Sequence, residues 1–130
     1  MIGAKVRSFF DAKGVQRRTQ GGSIRVLGHA AGAIRLTARR SIRRSPTASA
    51  PGTPPHTRRG LLREGILYAV EKDAACAVIG PTYEMVGTSG SAHEFGGKYR
   101  KEDYPARPFM GPALEAIRPR LPSFWAASVR

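Results

Sequence analysis

Ile24, Leu27, Ala31, Ile34, Ala38 and Ile42 recur at spacings of three and four, which lays them along one stripe of a helix at about 100° per residue. This pattern predicts a main helix over residues 22–44, with Arg25, Arg39, Arg40 and Arg43 on the opposite side. Ser23 stands where a hydroxyl can cap the helix start by accepting a backbone N–H bond. Gly28 and Gly32 each weaken such a helix by about 1 kcal/mol relative to alanine. A second element packed closely at those positions would explain them. Upstream, residues 5–19 predict a short strand or helix, with Phe9 and Phe10 as a hydrophobic plug.

The pattern breaks over residues 45–60, where four prolines remove backbone donors and fix φ. That segment is expected to be a long, extended and exposed proline-rich loop that orders only against partners. A hairpin follows: residues 62–71 and 75–81 are strand-like, Ile66, Tyr68 and Val70 alternate on one face, and Lys72-Asp73 supplies the turn. Residues 82–97 read as irregular or short-helical, and residues 98–108 as a returning strand that Pro105 and Pro108 confine to an edge. Pro112 sits near the start of a closing helix over 111–118. Pro119 and Pro122 then leave Phe124 and Trp125 in a C-terminal tail, residues 119–130. The predicted fold is α+β: one domain over residues 1–130, with a long amphipathic helix on a small, mainly antiparallel sheet and a second, shorter C-terminal helix.

Charge changes this picture. The chain of 130 residues carries a net charge of +13, and all of it lies in one half. Residues 1–63 hold fourteen Lys/Arg against one acid, Asp11, whereas residues 64–130 hold eight of each sign. Such asymmetry points to a polyanionic neighbour, either nucleic acid or an acidic protein surface. No apolar run approaches the roughly 20 residues that span a bilayer, and the first ten residues lack the apolar core of a secretory signal. The lone Cys76 excludes an internal disulfide and a cysteine-cluster metal site, so a reducing cytosol is the expected place of synthesis.

Four segments carry a resemblance. The string Ala50-Pro51-Gly52-Thr53-Pro54-Pro55-His56-Thr57, followed by Gly60-Leu61-Leu62-Arg63, is the first; Val78-Ile79-Gly80-Pro81 is the second. His93-Glu94-Phe95-Gly96-Gly97 is the third, and Tyr104-Pro105-Ala106-Arg107-Pro108-Phe109-Met110 with Pro112-Ala113-Leu114-Glu115 the fourth. In this order they resemble the signatures of the head–tail joining (neck, or tail-completion) proteins of long-tailed bacteriophages and prophages, over about residues 8–118. The resemblance implies a non-enzymatic virion protein. It would form a homo-oligomeric ring between the portal–adaptor stack and the tail tube, leaving a channel for DNA. A tail terminator ring is the alternative at the same location, and a basic nucleic-acid-binding protein the alternative from another class. The residues after Arg118 follow no part of that pattern.

A ring subunit shows different surfaces to its two neighbours, and a proline-rich loop suits such a contact because it has little entropy left to lose. Pro51, Gly52, Pro54, Pro55, Glu94, Arg107 and Phe109 are therefore the assembly-interface candidates. Arg107, held between Ala106 and Pro108, is expected to meet a carboxylate such as Glu94 with two parallel bonds, in the same subunit or across an interface. Arg25, Arg39, Arg40, Arg43 and Arg44 are candidates to face an acidic partner ring or passing DNA, which phosphate contacts would bind without regard to sequence. No catalytic, cofactor or metal site is expected: His29, His56 and His93 are scattered, and His93-Glu94 on an extended strand would point to opposite faces. Cys76 reads as a small buried hydrophobe.

Overall fold

The computed structural model describes residues 11–126 and is α+β. Its first element, α1, runs over Ala12–Ser41. It starts ten residues earlier than the apolar stripe suggests, because Asp11 and not Ser23 caps it: the Asp11 carboxylate accepts the Gly14 N–H at 2.9 Å. Phe9 and Phe10 lie outside the described residues. The buried row of α1 is Gly22, Val26, Ala30, Ile34 and Ala38, joined by Ala31, while Ile24 and Leu27 are only half-buried. A spacing of four at 3.6 residues per turn drifts by about 40° at each step, so successive positions on this row face different neighbours. At Ser41 the helix stops, because Ile42 turns into extended backbone (φ −88°, ψ 114°) and buries its side chain to 1% exposure. Arg43 and Arg44 therefore leave the helix. They form β1, which pairs in parallel with β2, His56–Thr57.

The link between β1 and β2, residues 45–55, has no helix or ladder of its own and is largely exposed, as its prolines suggest, but it is anchored within the chain. Ser49 and Pro55 are buried, and Ser45 N–H donates to Thr57 O at 3.0 Å. Residues 62–64, the start of the expected strand, belong instead to a short helix, α2 (Leu61–Glu64), that sends Leu62 into the core. The hairpin has the predicted turn: β3 (Ile66–Glu71) pairs with β4 (Cys76–Pro81) antiparallel, Tyr68 opposite Ile79, and Ala75 at φ 49° closes the return. Only its base is covered. Ile66 is fully buried, but Tyr68 on the same face is 44% exposed. Cys76 is half-buried, paired with Glu71, and not a core residue.

Two short helices follow, α3 (Tyr83–Val86) and α4 (Ser89–Phe95). The expected returning strand is instead a separate small hairpin, β5 (Gly97–Tyr99) with β6 (Glu102–Tyr104), so among the described residues the ladders form three two-stranded pieces and no single sheet. The closing helix α5 spans Met110–Ile117, and a 3₁₀ turn at Arg118–Arg120 leads into α6, Leu121–Trp125. The prolines kink this tail without releasing it, since Phe124 packs on the core and Trp125 Nε1 donates to Ser23 Oγ at 3.4 Å. One core joins Ile34, Ala38 and Ile42 of α1's end to Leu62, Ile66, Phe109, Ala113 and Ile117. A second element packs at Gly32, where the Tyr68 ring of β3 would stand at an ordinary 3.9 Å from an added Cβ, but not at Gly28, where nothing among the described residues comes within 4 Å.

Candidate assembly site

Three stretches, 49–52, 93–96 and 104–111, meet in one knot, and Glu94 is its centre. This residue lies on the last turn of α4, so it does not have the extended backbone expected for it. Its carboxylate accepts three backbone N–H bonds at the start of α5: Phe109 at 2.8 Å and Met110 at 2.9 Å on Oε2, and Gly111 at 2.8 Å on Oε1. Any helix start leaves its first N–H groups without intrahelical partners, and α5 has no capping side chain of its own. The local sequence meets this need closely. Phe109, Met110 and Gly111 donate to Glu94, Pro112 has no N–H, and Ala113 N–H reaches Phe109 O at 3.4 Å. Glycine at 111 also makes room, because a Cβ there would stand 3.1 Å from Glu94 Oε1. The negative charge at a helix N-terminus adds favourable dipole energy.

Arg107 works on the other side of the knot. Its backbone N–H donates to His93 O at 2.6 Å, and its Nε donates to Ser49 O at 2.8 Å. Gly52 N–H donates to Ala106 O at 2.8 Å, so residues 106 and 107 tie down both ends of the loop segment 49–52. The expected Glu94–Arg107 ion pair is not formed within the chain. Each group is engaged by backbone instead: Glu94 by the first N–H groups of α5, and Arg107 by Ser49 O. Gly96 (φ 71°) is required: a Cβ there would meet Ala106 N at 2.9 Å and Tyr104 O at 3.0 Å. A Cβ at Gly90 would collide with the Pro81 ring, which joins the β4 end to α4. His93 is half-buried. Desolvation lowers its pKa below the ordinary 6.5, and the Arg107 guanidinium lowers it further.

Two of the assembly candidates are withdrawn from any surface. Phe109 is 1% exposed in the core, and Pro55 is fully buried. Pro51 and Gly52 are exposed at the loop tip and Pro54 is half-buried. Beside the knot, Phe95 is 81% exposed and borders an open apolar groove with Ile34, Ile79, Met110 and Leu114.

The basic candidates divide as well. Arg25, Arg40, Arg43 and Arg44 are exposed. Arg39 is half-buried, its Nε enclosed without a hydrogen-bond partner, so it does not belong to the solvent face. Arg35 is structural: its Nε donates to Ile66 O at 2.7 Å and fastens α1 to β3. The sequence reading missed both this bond and the triple cap on Glu94, since neither partner shares an element with its donor or acceptor. Among the described residues the salt bridge is Arg118–Glu115 at 3.1 Å, an exposed pair, and no group of three His, Cys, Asp or Glu stands together to hold a metal. His56 Nδ1 donates to Thr47 O at 2.9 Å inside the loop. In comparisons with protein families, curated proteins and solved structures, nothing matches the chain.

Proposed function

We propose that this chain is a ring-forming structural subunit of the head–tail junction of a long-tailed bacteriophage, without catalytic activity or cofactor. The observation that carries the proposal is the order of four signatures resembling the neck family. Partial convergence supports it: residues from the first, third and fourth segments meet in one hydrogen-bonded knot, as parts of a single structural device would, and Pro81 of the second packs against Gly90 of α4. In this reading the chain is made in the host cytoplasm and ends in the virion, between adaptor or head-closure proteins and the tail terminator or tube.

The ring contact falls on the outer side of the knot, and its occupant is a second copy of the chain. Phe95 and the groove of Ile79, Met110 and Leu114 supply an apolar anchor, and the exposed tip Pro51–Gly52 supplies a pre-stiffened rim. Glu94 and Arg107 contribute by holding these surfaces in place. A tail terminator ring would use the same surfaces at a neighbouring level. Electron microscopy tests the proposal: the purified chain should form closed rings, and antibody should label the neck of the virion. Monomers at all concentrations together with unlabelled necks would overturn it.

A further inference from the structure

We propose that the edge formed by Arg43, Arg44, Arg58 and Arg59 is a docking surface for the phosphate backbone of double-stranded DNA. This inference goes beyond the ring reading and does not depend on it.

The edge exists only in the fold. Arg43–Arg44 and Arg58–Arg59 are fourteen or more residues apart in sequence, but β1 and β2 pair in parallel with Arg44 opposite Thr57. Paired strands lie about 4.8 Å apart and rise about 3.3 Å per residue, so the backbone positions of the four arginines share one small area, within the reach of their long side chains. All four residues are exposed. None has a carboxylate partner among the described residues, where the ion pair is Arg118–Glu115. Glu64, the nearest acid in sequence, turns towards Gly60 and forms no ion pair. Arg44 is held in place: its Nε donates to Arg58 O at 3.1 Å, and its terminal N–H groups remain for a ligand. Leaving four such charges together without compensation costs folding energy through mutual repulsion, and an anion removes that cost.

The surroundings favour phosphate over an acidic protein. Protein interfaces centre on buried apolar or aromatic anchors with charge at the rim. Here residues 43–47 and 56–60 include no large apolar side chain, and the nearest exposed ones, Leu61 and Met85, stand outside this edge on the open cavity that Arg58 borders. They offer arginines with the hydroxyls of Ser45 and Thr47, which lie 3.0 Å from each other. Arginine, serine and threonine are the groups that contact phosphate and carry no base preference. The ligand is therefore a duplex of any sequence.

The test is fluorescence anisotropy of the full chain with a labelled mixed-sequence duplex across a salt series. The variants are R43Q/R58Q/R59Q and, as a control that removes the same charge, K13Q/R17Q/R18Q. The control residues sit at the far end of α1, about 40 Å away at 1.5 Å per residue. Arg44 is left in place because it also braces the loop, and thermal melts confirm that both variants fold. The edge variant should bind more than about tenfold more weakly, and its log–log salt slope should fall by about 2.7, or 0.9 for each lost phosphate contact. The control should change affinity by less than about threefold. Equal losses in both variants would show diffuse charge and overturn the proposal. So would wild-type protein that ignores the duplex but binds polyglutamate, since that result identifies an acidic protein as the ligand.

Discussion

The knot around Glu94 and the arginine edge beside β1 and β2 are both dense in polar groups, and they use them in opposite ways. In the knot the main groups are taken by the chain itself: three N–H groups by one carboxylate, and two carbonyls by Arg107, with Ser49 Oγ buried without a partner. At the edge one Nε is used internally, and no carboxylate among the described residues answers the charge. A polar residue satisfied inside the fold is spent on architecture, whereas one left over is available to a partner. The residues most conspicuous in the sequence, in the proline loop and around Arg107, are largely of the first kind. The residues that look like ordinary solubilising charge include the second kind.

This contrast can be broken by experiment. The largest effect is expected on α1. Ile34→Asp places an unpaired carboxylate at a 6%-exposed core position and should cost about 4 kcal/mol or more. Arg40→Asp, on the exposed face, should stay within about 0.5 kcal/mol. Similar losses in thermal melts of the two variants would mean that the helix is rotated from the phase described.

Glu94→Ala removes the shared acceptor of three backbone N–H groups and should destabilise the chain by about 2–3 kcal/mol, with Glu94→Gln intermediate. If Glu94 served only a partner, its removal would leave the isolated chain's melting temperature unchanged. Arg107→Lys should have a smaller effect, about 1 kcal/mol, because the Nε bond to Ser49 O is lost. Hydrogen exchange should then quicken at Gly52, whose N–H is held by the neighbouring Ala106 carbonyl. Unchanged protection there would detach the loop from Arg107.

The smallest effect is on pH dependence. His93 in the folded chain has a pKa below its unfolded value, so the unfolded state binds the extra proton more readily. Stability from this group is full above the unfolded value near 6.5 and is lost as pH falls through the interval down to the folded pKa. His93→Gln should flatten the fall in melting temperature over that interval, and an identical fall in the variant would assign it to other groups. Removing Arg107 should reduce the shift without abolishing it, because desolvation is the larger cause.

Periodicity along the chain was enough to determine the α+β class, the long helix, the β3–β4 hairpin with its turn and the short closing helix, because each depends on contacts within a few residues or on one repeating face. The apolar half of α1 from Ala31 to Ile42 was legible for the same reason. Its true start was not: Asp11 caps a stretch whose outward faces are charged, and no apolar rhythm marks it. Tertiary structure alone decided which polar groups are spent. Glu94 reaches α5 across fifteen residues, Arg107 reaches Ser49 across fifty-eight, and Arg35 reaches Ile66 across thirty-one. It also decided that Phe109 is core and that Arg58 joins Arg44, because the parallel β1–β2 pairing depends on how residues 45–55 close, and no local propensity specifies a closure of that length.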